Sequence, residues 1–146
     1  MSKRAGPRLF FLLNRARQSL FGRLNRETTA RLDVTVSQLS ALFALGSGAM
    51  PTGALARRLE LDAGATTRAV ARLTAKGLVE SRPDPSDGRR RVVQLTEAGA
   101  KRREQGVHEL TRANALLHEG FSEAEIEVVA RFLEHVATLG QSDDDD

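Results

Sequence analysis

The sequence predicts a mostly α-helical chain with one small antiparallel unit of two or three strands near its middle. Two observations carry this. Apolar residues recur at steps of three and four along most of the chain, which is the spacing that lines one face of a helix. Between residues 78 and 95 that period breaks, and two short extended stretches flank a segment dense in turn-forming residues.

The elements follow in order. Leu9, Leu13, Ala16, Leu20 and Leu24 form the stripe of a first helix. Thr35 and Gln38 stand in the relation of a capping box and open a second helix that buries Val36, Leu39, Leu42 and Phe43, with Gly46-Ser47-Gly48 as its stop. Pro51 begins a short third helix with Leu55 and Leu59 inside. Asp62 caps a fourth, whose inner stripe is Thr66, Val70 and Leu73 and whose end is Lys76-Gly77. Leu78 to Arg82 is a first strand, Pro83 to Gly88 the turn, with Asp87-Gly88 as a hairpin signal, and Arg89 to Leu95 a second strand. In that strand Arg91, Val93 and Leu95 share one face, so the apolar pair points inward and Arg90 points out. Thr96 caps a long fifth helix holding Val107, Leu110, Leu117 and Phe121. Ser122 and Glu125 form a second capping box for a sixth helix with Ile126, Val129, Leu133 and Val136 on one stripe.

Length and composition narrow the function. The chain has 146 residues, is 40% hydrophobic and 28% charged, and is long enough to bury one core. It has no Cys, which excludes disulfides, thiolate metal sites and cysteine nucleophiles. It has no Trp or Tyr and six Phe, poor material for stacking unpaired bases. No apolar run approaches the ~20 residues that cross a bilayer, and the stretch Leu9 to Leu13 is too short for a signal-peptide core, so a cytoplasmic protein without a membrane partner is expected. His108, His118 and His135 show no metal-ligand spacing, and neither a catalytic triad pattern nor a phosphate-cradling loop is present. Neither a cofactor nor an enzyme is expected.

Charge is polarised. The net value is +3, but residues 1–26 carry seven basic groups and no acid, residues 57–91 carry nine basic and five acidic groups, and residues 92–146 carry five basic and twelve acidic groups. A cationic front and an anionic rear suit a chain that meets a polyanion through one surface, although arginines that merely solvate helices give the same count. Gln141 to Asp146 reads as an acidic, disordered tail.

Helices three and four have helix-turn-helix proportions, and a hairpin directly after them is a wing. Duplex DNA is read by a helix in the major groove and held through its phosphates. The fourth helix suits this. Gly64 and Ala65 keep its first turn small, and Thr67, Arg68 and Arg72 lie opposite the inner stripe. Arg68 is the candidate for a bidentate contact with guanine, and Thr67 for a base methyl or a phosphate. Beyond the turn, Arg89, Arg90 and Arg91 are candidates for a narrow minor groove, which concentrates negative potential. Asp87 makes the turn with Gly88. Arg15, Arg17, Arg23 and Arg26 suit flanking phosphates or an anionic membrane surface, but Phe10, Leu13, Leu20 and Leu24 beside them are better spent in a dimer core.

The ordered set Leu55-Ala56-Arg57-Arg58-Leu59, Leu61-Asp62, Thr67-Arg68, Arg72-Leu73, Lys76-Gly77-Leu78-Val79, Pro83-Asp84-Pro85, Asp87-x-Arg89 and Leu95-Thr96-x-x-Gly99 resembles the MarR family of winged helix-turn-helix regulators over residues 8–139. The resemblance implies a homodimer in which residues 1–34 and 96–140 interlock between subunits around a DNA-binding lobe at 35–95. It implies a transcription regulator, usually a repressor, bound to a pseudo-palindromic operator and relieved by a small phenolic or lipophilic effector. It also implies that Asp87 orients Arg89. Leu13, Leu39, Phe43, Met50 and Val107 are candidate walls for the effector pocket, and serve equally well as core. The chain departs from the family pattern at Pro51-Thr52-Gly53-Ala54, which lacks the capping acid, and at Glu60, Thr66 and Ala71. A sequence-tolerant architectural DNA binder and a protein-interaction dimer without an inducer remain the alternatives.

Overall fold

The computed structural model describes residues 7–140, so the acidic tail at 141–146 and the first basic residues, Lys3 and Arg4, lie outside the described residues. The elements run α1 (Arg8–Leu32), α2 (Val36–Leu45), β1 (Met50–Pro51), α3 (Thr52–Leu59), α4 (Ala63–Ala75), β2 (Val79–Pro83), β3 (Arg91–Leu95), α5 (Glu97–His118) and α6 (Glu123–Thr138). They fall into two compact units, residues 1–109 and 110–146.

In the first unit α1 buries only Leu24, Thr28 and Leu32, near its end. Its first half leaves Leu9, Phe10 and Phe11 exposed. The helix ends on Asp33 at φ 54°, a left-handed position that Asp tolerates better than most residues because its short side chain bonds locally. Asn25 then reaches forward: its Oδ1 accepts from the Val36 N–H at 2.8 Å and so satisfies a free donor at the start of α2. The capping box forms as the sequence predicts, with the Gln38 N–H donating to Thr35 Oγ1 and the Thr35 N–H to Gln38 Oε1, both at 3.2 Å. Leu39, Leu42, Leu55, Leu73, Leu78, Val34 and Val79 are the fully buried centre of this unit.

Glu60 holds the turn between α3 and α4 at φ 53°. Thr66, at a place where an aliphatic is usual, is fully buried, but its hydroxyl donates to the Asp62 carbonyl at 3.1 Å and is not left without a partner. The buried stripe of α4 is Thr66, Ala69 and Leu73, so Ala69 takes the inward place expected of Val70, which is half-buried.

The sheet has three strands in the order β1-β3-β2, all antiparallel. β3 starts at Arg91 rather than Arg89, because Arg90 is still in the turn, its N–H bonded to the Asp87 carbonyl at 3.0 Å. Val93 is buried as expected, but Arg91, on the same face at the strand's start, is exposed, and Val92 is buried too, with Pro51 and Arg82 as its cross-strand neighbours. Two glycines let α5 lie close. A Cβ on Gly99 would meet the Leu78 carbonyl oxygen at 1.8 Å, and one on Gly106 would meet a Leu39 methyl at 2.3 Å.

In the second unit α5 stops at His118, before the Phe121 that the sequence placed in it. Gly120 at φ 83° turns the chain out of the helix and leaves Phe121 exposed. The Ser122–Glu125 capping box forms at 3.2 and 2.8 Å. α6 has no buried residue, and Val128, Val129, Phe132 and Leu133 are exposed on it.

Candidate nucleic-acid interface

The candidate surface begins at the cap of α4. Asp62 Oδ1 accepts from the Ala65 N–H at 2.7 Å. The cap fixes the helix start, and it also takes the donor that Ala65 would offer a phosphate. Gly64 leaves room for what surrounds it: a Cβ there would come within 3.2 Å of Asp62 Oδ1 and 3.3 Å of an Arg68 terminal nitrogen. Thr67 is exposed, with its hydroxyl donating to the Ala63 carbonyl at 2.8 Å, so its methyl and hydroxyl oxygen are held in one orientation. Arg68 and Arg72 are exposed one turn apart on the outward face. Together with Thr35, Gln38, Ala65 and Ala69 they line a shallow open depression between the start of α2 and α4.

The wing tip runs from Asp84 to Arg90, two residues beyond the turn expected over Pro83 to Gly88, and Gly88 has no positive φ. Residues 84–90 form a knot of side-chain to main-chain bonds. Asp84 Oδ1 accepts from the Ser86 N–H at 2.9 Å and its hydroxyl at 2.8 Å, and those two bonds, ahead of the charge of Arg90, hold the Asp84 carboxyl below its ordinary pKa. The Asp84 N–H donates to the Arg90 carbonyl at 2.8 Å, closing the loop.

The three wing arginines separate by role. Asp87 Oδ1 accepts from the Arg89 main-chain N–H at 3.0 Å, so it orients Arg89 through the backbone and leaves the guanidinium without a hydrogen-bond partner among the described residues. Arg90 is tied in by its backbone. Arg91 is turned sideways, donating from Nε to Ser81 Oγ and from a terminal nitrogen to the Ser81 carbonyl, each at 3.0 Å. Arg89 and Arg90 thus both keep guanidinium groups without a hydrogen bond among the described residues, and Arg91 does not.

The five residues suggested as effector-pocket walls do not line this depression. Leu39 is core, packed where Gly106 gives it room. Phe43 is half-buried under the Arg103 guanidinium, 5.4 Å from its ring centroid. Val107 is exposed on α5, and Leu13 and Met50 are half-buried on α1 and β1. Sequence reasoning also missed the Arg103 contact. That side chain crosses Gly46, where a Cβ would stand 2.2 Å from Nε, and the small residue at 46 was its available signal. No cluster of three or more potential metal ligands exists among the described residues, and no helix of theirs is long and apolar enough to cross a membrane.

The MarR family model matches residues 32–90. The multiple antibiotic resistance protein MarR of Escherichia coli K12 is 38% identical over 94 residues, 64% of this chain and 62% of that protein. An HTH-type transcriptional regulator of Mycobacterium tuberculosis is 45% identical over 69 residues, 47% of this chain and 48% of the relative, so the match spans about half the length of that relative. Among solved structures, a mutant E. coli MarR complexed with operator DNA superposes with a TM-score of 0.79 at 30% identity, covering 88% of this chain and 92% of that one.

Proposed function

This chain belongs to the MarR family, and on that premise we propose that it is a homodimeric repressor that binds a pseudo-palindromic operator in double-stranded DNA. Half-sites about 34–36 Å apart, one helical turn, would match the two-fold arrangement. The observation that carries this reading is the outward face of α4. Arg68 and Arg72 are held there by a capped helix whose opposite stripe is buried, in a chain 30% identical to a MarR seen on operator DNA. Arg68 reads a guanine edge, Thr67 supports it, and Arg89 enters the minor groove.

Residues 35–95 are the DNA-binding lobe, and residues 1–34 and 96–140 supply the dimer contacts. Support for the latter comes from the exposed apolar side chains at the start of α1 and along α6. Relief by a small effector belongs to the same reading and rests on family membership. A cytoplasmic location follows from a partner that is genomic DNA.

The test starts from genomic fragments recovered with the protein. Their affinity is compared with that of random duplex at fixed salt, since salt alone shifts such values by orders of magnitude. Arg68→Ala should cost about 1–3 kcal/mol on the recovered fragment. Arg89→Ala should weaken fragment and random duplex alike. Affinity that survives both substitutions would transfer the chain to the protein-interaction reading.

A further inference from the structure

Three helix ends meet at one ammonium group on the side of α4 away from its capped start. Lys76 caps the C-terminus of α4. Its Nζ donates to the main-chain carbonyl of Asp33, donates to Gln38 Oε1 at 3.3 Å, and stands 3.7 Å from the Asp33 carboxylate. Asp33 is the left-handed residue that ends α1, and Gln38 closes the capping box that starts α2. Gln38 is 3% exposed and the Lys76 side chain 30%, so the Lys76–Gln38 contact is sheltered, while the Asp33 carboxylate, at 78%, faces solvent and adds little. The carbonyl ends of α1 and α4 favour a cation there and the start of α2 opposes it, so the side-chain and carbonyl bonds decide the contact. The neighbouring carbonyl of α1, that of Leu32, accepts from Arg102 of α5, and Arg31 pairs with Glu109 at 2.9 Å. The end of α1 is thus gripped from α4 on one side and from α5 on the other.

We infer that Lys76 is a positioning residue for the recognition helix, a strut that fixes the end of α4 to the end of α1 and so sets the direction in which Arg68 and Arg72 are presented. The inference rests on the DNA-binding reading. Apolar packing between α4 and its neighbours is non-directional, whereas an ammonium held by a carbonyl and an amide oxygen sets a direction.

The experiment compares Lys76→Met, which keeps the apolar stem, with Lys76→Arg. Amide hydrogen exchange is measured without DNA, and binding to the recovered fragment and to random duplex is measured over a salt series. Lys76→Met should speed exchange in the last turn of α4 and the first turn of α2. It should weaken fragment binding about tenfold, the loss expected for a charged hydrogen bond, with random-duplex affinity and salt slope unchanged. Lys76→Arg should restore most of both. A phosphate-contacting lysine would instead weaken both duplexes equally and lower the salt slope by about one, which overturns the inference. Unchanged exchange at both helix ends in Lys76→Met overturns it too, whatever the DNA result. Failure of the unmodified protein to prefer the recovered fragment would count against the DNA-binding reading itself.

Discussion

The winged lobe and the last helix of this chain spend their apolar side chains in opposite ways. In the lobe Leu42, Leu55 and Leu73 are wholly buried, and even the threonine on the inner stripe of α4 has its hydroxyl satisfied. α6 has an equally regular apolar stripe, yet Leu133 remains 47% exposed and nothing on the helix is buried. Period alone does not distinguish them. The lobe closes on itself, whereas the apolar face of α6 stays largely exposed among the described residues, as a face would that is meant for another molecule.

The contrast can be broken at either end. Leu73→Ala should cost about 2–5 kcal/mol in denaturant unfolding, because a closed core cannot collapse around the lost methyls. A loss below about 1 kcal/mol would mean that the lobe is not the self-sufficient half. Leu133→Asp should leave the lobe folded but weaken self-association by at least roughly 2 kcal/mol, read by sedimentation equilibrium. An unchanged association constant would show that the α6 stripe is not the contact.

A finer version uses the two capping boxes, which share chemistry and differ in shelter. Thr35→Ala should destabilise by about 1–2 kcal/mol, since the box it opens lies between α1 and the lobe core, whereas Ser122→Ala on the exposed box should sit near ~0.5 kcal/mol. Thermal melts of both variants give the comparison. The smallest effect is one of pH. Hydrogen bonds from the Ser122 N–H and then its hydroxyl hold the Glu125 carboxyl below its ordinary pKa. A depressed carboxylate stabilises the folded form above its unfolded pKa, and that contribution is lost as pH falls through the folded value. Acid should therefore fray the first turn of α6 slightly, visible as faster amide exchange there, and Glu125→Gln should remove the pH dependence.

What the sequence made legible was local. The Thr35–Gln38 and Ser122–Glu125 boxes, the Asp62 cap and the Gly77 stop all depend on residues three or four apart, and all appear. β1 escaped because two residues become a strand only by pairing with Val92 and Val93, far along the chain. Alternation along β3 also fails at its start, where Val92 and Val93 are both buried and Arg91, on the face of Val93, is exposed. At the candidate site, the outward residues of α4 could be read from helical spacing. The division of labour among Arg89, Arg90 and Arg91 could not, because it is set by Ser81 across the sheet and by main-chain bonds within the tip. Gly120, by contrast, was an available stop signal for α5 that the apolar period overrode.

The backbone approach at Gly99 has a mechanical meaning. With the Leu78 carbonyl oxygen where a methyl would otherwise stand, and Thr96 bonded to both the Gly77 carbonyl and the Gly99 N–H, the base of the hairpin is bolted to the start of α5. The strands pair without a break from Val79–Leu95 to Pro83–Arg91, and the tip beyond them is closed by the Asp84–Arg90 bond, so the hairpin would turn as one lever about its root, as a stylus turns in its clamp.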